Sequence, residues 1–360
     1  MKIVAADWLP YCLPLKRPWQ TSRGSIGERR GKLYRLQTAD GLTGWGDCAP
    51  LPEFGISEAA ATVYAEECAT LDLAAQRAGL PLAAWLSGEQ APASVAVNAN
   101  FGPISTVDRN SLENAARAGY TIVKLKVGHA PLAVEIAALH QLAQALPPSL
   151  SLRLDANCAW TIADAERFIA ACAGLPVEGL EEPLADPDPS QLAYLQARAD
   201  FTLAIDESTQ LIDTQFFRHP PVHRLVIKPA RHGGLLASTE LALRARASGL
   251  EVVITSALES ACGIATLTHL AAAVAPDAVH GLATADWLAS DTSLSPPIVD
   301  GRIALPKGNG SGFALEGKCC RSAPGKGAID RELRFRRSAR LCENTWTVYS
   351  KQGVDALNPL

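Results

Sequence analysis

Five short apolar segments in the middle of the chain each carry a charged residue at or next to their carboxyl end. In chain order these residues are Lys126, Asp155, Glu181, Asp206 and Lys228. If the segments are neighbouring parallel strands, their carboxyl ends meet at one edge, where three carboxylates repel one another unless a cation joins them. A single carboxylate there is ordinarily a salt-bridge partner or a helix cap, but three at equivalent positions predict a cation site. All-oxygen ligation favours Mg²⁺, with Mn²⁺ as the alternative.

Lysines flank the predicted cation site on both sides. Lys124 and Lys126 lie two residues apart on one segment, so in a strand both side chains point to the same face. Arg153 and Asp155 share a face for the same reason. Lysines beside a carboxylate-bound cation suit an anionic substrate, because a lysine can take a proton while the cation stabilises the charge that develops. The set therefore predicts proton abstraction next to a substrate carboxylate.

The segments that carry these residues belong to a pattern that repeats from Ser94 to Leu282. A β-rich run is followed by an Ala- and Leu-rich amphipathic stretch roughly every 22 to 30 residues, the span of one strand and its crossover helix. Eight such units favour a closed parallel barrel over an open doubly wound sheet. Apolar residues at three- and four-residue spacing predict helices at 164–172 and 235–247. The predicted strands are Ser94–Asn98, Ile122–Val127, Ser151–Asp155, Glu178–Glu181, Thr202–Asp206, Arg224–Lys228, Glu251–Thr255 and Ala278–Leu282.

The residues before and after this pattern form other regions. Residues 1–92 predict an α+β domain, with strands at 3–9 and 32–38, a hairpin turn at Asp40–Gly41 and a helix from Ser57 to Ala78. The barrel is assigned to residues 93–297. Residues 298–316 contain a second strand-and-turn element, which could return to the N-terminal domain.

Composition and charge limit the classes of function. The chain has a net charge of -4, a pI of about 6.0, and 48% hydrophobic against 19% charged residues. This balance argues against a nucleic-acid or membrane surface, and no stretch approaches the ~20 apolar residues of a membrane span. Nine scattered cysteines without a Cys-x-x-Cys pair predict reduced thiols in a cytoplasmic protein. Residues 317–360 carry nine Lys or Arg against four Asp or Glu, a net of +5, and we expect this basic tail to be disordered.

Several short motifs resemble those of the enolase superfamily, in particular its muconate-lactonizing subgroup. They are Lys124-Leu-Lys126, Leu154-Asp155-Ala156-Asn157, Glu181-Glu182-Pro183, Asp206-Glu207-Ser208 and Val226-Ile227-Lys228-Pro229. Within the subgroup the chain most resembles the o-succinylbenzoate synthase family, through Arg153 and through the segments 44–52 and 254–260. The resemblance covers residues 1–316 and leaves out the tail.

The resemblance implies a fold and a reaction. The fold would be a (β/α)₇β TIM-like barrel with an α+β capping domain. The reaction would be the Mg²⁺-dependent dehydration of 2-succinyl-6-hydroxy-2,4-cyclohexadiene-1-carboxylate to o-succinylbenzoate, a step of menaquinone biosynthesis. Lys126 would abstract the α-proton to give a metal-stabilised enediolate, Lys124 would tune Lys126 electrostatically, and Lys228 would stabilise the anion from the opposite face. The metal ligands that it implies are Asp155, Glu181 and Asp206.

The resemblance also assigns residues around the substrate, which would be a small-molecule carboxylate. The loop 17–27 and the stretch 50–58 would close over this substrate and exclude water. Thr255, Ser256 and Gly281 sit at the ends of the last two predicted barrel strands, where the succinyl arm could lie. The full set of implied substrate-binding residues is Arg153, Asn157, Thr255, Ser256 and Gly281.

Alternative functions use the same residues. The lysines and the metal would also support an N-acylamino acid racemase or a cycloisomerase, because one scaffold hosts several outcomes of the same proton abstraction. A dipeptide epimerase is disfavoured, since the segment 281–286 has only Asp286 where that activity uses Asp-x-Asp. A metal-binding protein without catalysis would need neither Lys126 nor Lys228. The oligomeric state is left open.

Overall fold

The structure, a computed structural model, describes residues 2–21 and 24–315. The predicted basic tail lies outside the described residues, and so do Cys319, Cys320 and Cys342. The other six cysteines are free thiols. In the described part of the chain, no helix is both long enough and apolar enough to cross a bilayer.

The N-terminal residues form an antiparallel sheet that packs against a long helix. In the turn that follows the second strand, Gly41 takes a φ of 89°, which glycine adopts without strain. The long helix is capped at its start by Ser57, whose side chain accepts a hydrogen bond from the Ala60 N–H. The predicted turn and helix are therefore present. The elements are β1 (Ile3–Thr21), β2 (Gly24–Thr38), β3 (Thr43–Cys48), α1 (Glu58–Ala78) and α2 (Leu82–Ser87).

The described residues of the segment 17–27, which was predicted as a loop, belong to strands β1 and β2. Trp19 pairs with Ile26 after a register shift that lies between Pro14 and Trp19. Prolines at 14 and 18 argue against a strand in the sequence, because proline cannot donate to a ladder. The strand order β1-β2-β3 makes β1 an edge strand, and an edge strand tolerates proline where no donor is needed.

The remaining chain builds the predicted barrel of strands and helices. Strands β5 to β11 pair in chain order in one parallel sheet of seven strands. The strands are β4 (Ser94–Val97), β5 (Ala99–Pro103), β6 (Ile122–Lys126), β7 (Ser151–Asp155), β8 (Val177–Glu181), β9 (Thr202–Ile205), β10 (Arg224–Ile227), β11 (Glu251–Ile254) and β12 (Val279–His280). The helices are α3 (Arg109–Arg117), α4 (Leu132–Ala145), α5 (Ile162–Ala171), α6 (Pro189–Gln196), α7 (Thr214–Arg218), α8 (Leu235–Ala247) and α9 (Ala261–Val274).

Two short connections join the ends of this sheet. The Gly281 N–H donates to the Ile254 carbonyl, and the Asn98 N–H donates to the His280 carbonyl. Strand β12 therefore lies between β11 and β4, as an eighth strand requires. The first barrel strand was predicted to end at Asn98, but the chain continues through it from β4 into β5. This extension brings residues 99–103 alongside β6.

The segment after the barrel contains the predicted strand-and-turn element, but its pairing differs from the expectation. Strands β13 (Ile298–Val299) and β14 (Arg302–Ala304) form a hairpin, and β14 pairs with β4 of the barrel rather than with the N-terminal sheet. Within the described residues 298–315, the part after β14 contacts the N-terminal domain, where the Ser311 N–H donates to the Asp72 carboxylate. The proposed domain limits at 92 and 297 stay a prediction.

Buried polar side chains fasten the N-terminal domain to the barrel. Arg29 is 3% exposed and donates to the carbonyls of Ala49 and Pro50 on its own side and of Leu258 on the barrel side. The buried Asp47 carboxylate accepts hydrogen bonds from Tyr11 and from the N–H and hydroxyl of Ser260, where α9 begins. Because each group is buried with its hydrogen-bond partners, the contacts fix the domain over the strand ends.

Close packing of α1 on β3 depends on glycine. A Cβ at Gly46 would lie 1.9 Å from the Ala65 carbonyl oxygen of α1, so the helix would have to move. We predict that Gly46→Ala lowers the free energy of unfolding by about 1–3 kcal/mol, as overpacking usually does. Gly27→Ala is the matched control, because its Cβ meets nothing within 4 Å. Urea denaturation that gives both variants the same midpoint would contradict this account of the packing.

Candidate active site

The five charged residues singled out in the sequence lie on one rim of the barrel. The parallel register places Lys126 opposite Asp155, and Asp155 opposite Glu181. Asp206 follows β9 directly, and Lys228 follows β10 directly. The three carboxylates are at most 3% exposed. Strand ends, which are easily recognised in the sequence, therefore bring these side chains to one buried site.

Each of the three carboxylates is held by at least one cation of the chain. The Lys124 Nζ lies 2.8 Å from both carboxylate oxygens of Glu181 and 2.9 Å from Asp155 Oδ2. The Lys126 Nζ lies 2.6 Å from the same Asp155 oxygen. Asp206 belongs to a separate group on the rim, in which its carboxylate accepts hydrogen bonds from both Lys228 and Arg231.

The pKa values in the site follow from burial and from these neighbours. Burial, and then the charge of Asp155, raise the pKa of Glu181 to about 7. Burial alone would also raise the pKa of Asp155, but Lys124 and Lys126 outweigh it and hold that pKa well below its usual range. Burial would lower the pKa of Lys124, but Asp155 and Glu181 raise it, so Lys124 stays a cation.

The donor set of this rim fits a hard divalent cation. The Lys124 ammonium lies between Asp155 and Glu181, which shows that these two carboxylates can share one positive charge. Asp206 provides a further carboxylate on the neighbouring strand end. Buried carboxylate oxygens are the ligands that Mg²⁺ and Mn²⁺ prefer.

A second group of possible ligands lies nearby, where one ligand atom each of Cys158, Glu182 and Glu207 lies within 4.8 Å of the others. This group fits a hard cation less well. Glu182 already accepts hydrogen bonds from the Asp206 and Ser208 N–H groups and from the Ser208 hydroxyl. Burial raises the pKa of the Cys158 thiol, which donates to Glu182. We therefore place the candidate cation site at the three predicted carboxylates.

Lys126 is oriented by a short chain of hydrogen bonds. Its Nζ lies 2.7 Å from Asn157 Oδ1, and Asn157 Nδ2 donates to Glu207 Oε1 over 2.9 Å. Asn157 has a φ of 44°, a left-handed conformation that asparagine adopts more readily than most residues. Asn157, predicted as a substrate contact, thus positions the Lys126 amine as well as lining the cleft.

A cleft of about 240 Å³ opens above the charged rim, between the barrel and the N-terminal domain. Arg17, Trp19, Leu51 and Phe54 line it from the N-terminal side, in the two segments that were predicted to close over a substrate. The barrel residues that line it include Asn100, Phe101, Lys124, Lys126, His129, Asp155, Asn157, Asp206, Lys228, Thr255, Ser256, Gly281, Thr284 and Trp287.

The predicted contacts at the last two strands do line the cleft, but their hydroxyl groups are engaged. The Thr255 hydroxyl donates to the Gly281 carbonyl, and the Ser256 hydroxyl donates to Glu259. Thr284 in turn donates to the Ser256 oxygen. A Cβ at Gly281 would lie 2.4 Å from Thr255 Oγ1, so this position needs glycine for the approach of the two strand ends.

The structure does not bring Arg153 to the cleft, which corrects its prediction as a substrate contact. Its side chain is 4% exposed, pairs with Glu178 and donates to the Val279 carbonyl. Arg224 binds the same Glu178 carboxylate. Arg153 shares a strand face with Asp155, but two residues of strand separate them by about 6.6 Å in depth. It therefore belongs to an ion-pair layer below the site.

Several residues of the site were missed in the sequence, among them Arg231, Phe101 and Trp287. Arg231 contacts Asp206, and a charged residue three positions after a strand-end lysine is a signal that could have identified it. Phe101 was missed because the first barrel strand was predicted to end at Asn98. Trp287 gave no signal, since a single tryptophan beyond the last strand is equally typical of a packed loop.

Comparisons with known proteins agree with this architecture. The family model described as Enolase C-terminal domain-like matches residues 108–318. The o-succinylbenzoate synthase of Pectobacterium atrosepticum is 33% identical over 304 residues, which cover 77% of this chain and 89% of that protein.

Two solved structures show the same fold. The muconate lactonizing enzyme of Pseudomonas fluorescens, complexed with muconolactone, superposes with a TM-score of 0.79 at 21% identity, covering 88% of this chain and 97% of its own. The dipeptide epimerase of Enterococcus faecalis, complexed with Mg and a dipeptide, gives 0.76 at 23% identity, covering 87% and 99%.

The raised pKa of Glu181 predicts a pH-dependent stability. Because the folded-state pKa is above the ordinary value of 4.5, the protonated form favours folding, and this stability is lost as the pH rises from about 4.5 to about 7. The loss amounts to about 3 kcal/mol without metal. We predict that in EDTA the stability of Glu181→Gln declines between pH 5 and pH 8 by less than that of the unmodified protein, the difference being most of this amount, as measured by urea denaturation.

The matched control is Glu240→Gln, an exposed position on α8. Its decline between the two pH values should equal that of the unmodified protein. If Glu181→Gln declines as much as the control, burial of the Glu181 charge is not what destabilises the site.

Proposed function

Since this chain belongs to the enolase superfamily, we propose that it is a Mg²⁺-dependent o-succinylbenzoate synthase. The observation that carries the proposal is the set of three buried carboxylates between Lys126 and Lys228. These lysines follow or end β6 and β10, which are four strands apart in a barrel of eight, so they face each other across the cleft. The relative from Pectobacterium that bears this name supports the choice of reaction.

The cation would be held by Asp155, Glu181 and Asp206. When bound, Mg²⁺ stabilises the negative charge that develops on a substrate carboxylate as the neighbouring proton leaves. The structural relative from Enterococcus was solved with Mg, which supports the choice of this ion. Lys124, which lies between Asp155 and Glu181, would keep the local charge positive for an anionic substrate.

The chain's own residues account for the proton transfers of a dehydration. The substrate is 2-succinyl-6-hydroxy-2,4-cyclohexadiene-1-carboxylate. As the neutral amine, the Lys126 Nζ takes the proton from the ring carbon that bears the carboxylate, and the electron pair of that C–H bond moves into the carboxylate. As the pair returns to the ring, the C–O bond to the hydroxyl breaks and the ring becomes aromatic. In a syn elimination the hydroxyl leaves on the face of Lys126, so the lysine can return its proton and water departs.

Lys228 stabilises the anion from the side of the cleft opposite Lys126. Its ammonium contacts Asp206 and lies 5.8 Å from the centroid of the Phe54 ring, which belongs to the N-terminal domain. A cation fixed in this way can stabilise negative charge spread over the substrate ring and carboxylate. The aromatic and aliphatic residues above it, including Trp19 and Leu51, exclude water during the reaction.

Racemisation of N-acylamino acids is the second candidate, favoured by the facing lysines, since each could exchange a proton on one face of an α-carbon. Muconate-type cycloisomerisation would use the same anion. Dipeptide epimerisation is less favoured, because Asp286 is exposed and does not line the cleft. These alternatives and the dehydration share one proton abstraction, so only the substrate separates them.

We predict that the purified protein converts the cyclohexadiene carboxylate to o-succinylbenzoate, followed by the absorbance of the aromatic product. EDTA should abolish turnover, and Mg²⁺ should restore it. Lys126→Ala should lower kcat by about 10²- to 10⁴-fold, since it removes the general base. Lys32→Ala, which loses an exposed ion pair with Glu58, is the control and should keep full activity.

A folded, Mg²⁺-loaded protein without turnover would overturn the dehydratase assignment. Exchange of the α-proton of N-acylamino acids in D₂O, recorded by NMR, would then identify the racemase alternative. Exchange that persists in Lys126→Ala would show that another group is the base.

A further inference from the structure

Arg17 places a cation at the mouth of the cleft. Its side chain is exposed, and its guanidinium carbon lies 4.3 Å from the centroid of the Trp287 ring. The Trp287 ring packs on Trp19 at 4.8 Å between centroids, and Trp19 meets Phe54 edge to face at 6.5 Å. Stacking on a fixed indole restricts where the guanidinium can point, so a ligand loses less freedom when it binds there.

The cations deeper in the cleft already face carboxylates. Lys124 and Lys126 contact Asp155, and Lys228 and its neighbour Arg231 contact Asp206. Among the described residues, no carboxylate lies within ion-pair distance of Arg17. The guanidinium therefore offers its donors to the cleft and to solvent.

Other side-chain donors near the last two strands are not available to a ligand anion. The hydroxyl hydrogens of Thr255, Ser256 and Thr284 are given to a backbone carbonyl, to Glu259 and to the Ser256 oxygen, respectively. The buried Glu259 carboxylate behind Ser256 would also repel an anion placed against that hydroxyl. An anionic group at the outer end of a substrate has Arg17 as its remaining cationic contact in the described part of the cleft.

We propose that Arg17 binds the second carboxylate of the substrate, the one at the end of the succinyl arm. This inference rests on the proposed function, because it needs a substrate with a carboxylate on the reacting ring and another on a flexible arm. The first lies among the deep cationic groups, while the arm runs outward past Thr255 and Gly281 to the stacked guanidinium. The planar fork of arginine suits a carboxylate in a bidentate contact. Arg17 thereby selects dicarboxylates over monocarboxylates.

The contribution should be modest, because the guanidinium is exposed and water screens it. A loss of about 10-fold in affinity is expected when the charge is removed, which corresponds to about 1.4 kcal/mol. The substitution should raise KM and leave kcat nearly unchanged, since Arg17 touches the arm and not the reacting carbons.

The test is calorimetric binding of two ligands in the presence of Mg²⁺. One ligand is o-succinylbenzoate, and the other is the same acid with the arm carboxylate converted to a primary amide. The variants are Arg17→Gln, Arg17→Lys and the matched control Lys16→Gln, which removes an equal charge from the adjacent residue outside this cleft. Arg17→Gln should weaken the diacid about 10-fold and the amide less than 2-fold. Arg17→Lys should recover part of the loss, and Lys16→Gln should change neither affinity.

Two results would overturn the role of Arg17. Equal weakening of both ligands in Arg17→Gln would mean that the side chain acts only by packing on Trp287, and unchanged affinity for the diacid would mean that it makes no contact. In both cases turnover of the cyclohexadiene carboxylate by the unmodified protein would leave the proposed function standing. If the unmodified protein neither binds the diacid nor turns over the substrate, the proposed function and this inference both fail.

Discussion

The crowding of Asp155, Glu181 and Asp206 at one buried rim is the interaction on which the rest of the structure depends. Like charges in a site of low exposure repel strongly, and the pKa of Glu181 is raised first by burial and then by the charge of Asp155. The chain tolerates the crowding because lysine and arginine side chains from β6 and from the end of β10 neutralise it. A divalent cation bound among these carboxylates would offset the cost of burying their charges, so that its binding would add to folding stability.

The position of the N-terminal domain over the strand ends is explained by the same crowding of charges. A charged rim open to water would be screened, and proton abstraction from carbon would gain little from it. Arg29 and Asp47 fasten the N-terminal domain over the strand ends through buried hydrogen bonds, and the glycines of β3 allow α1 to pack closely behind it. The cleft therefore has charged side chains at its base and aromatic rings at its mouth. This arrangement suits a substrate with a carboxylate at one end and a ring beside it.

Much of this could be predicted from the sequence because two simple signals coincide. Strand-and-helix periodicity gives the barrel, and charged residues at the ends of apolar runs give the rim from Lys126 to Lys228. The sequence does not show how far below the cleft a side chain lies along its strand. For this reason Arg153 was assigned to the substrate, although it pairs with Glu178 below the site. It also could not give the partner of an isolated hairpin, since β14 pairs with β4 through long-range contacts. Trp287 and Arg17 meet only in three dimensions.

The most direct test of the central claim is to locate the cation. Crystals of the Mn²⁺-loaded protein, measured at the manganese absorption edge, give the ion's position from its anomalous scattering. We predict one strong peak within coordination distance of Asp155, Glu181 and Asp206, with the Lys124 ammonium withdrawn from between the first two. A peak at Cys158, Glu182 and Glu207 instead, with the lysines still bound to the three carboxylates, would contradict it.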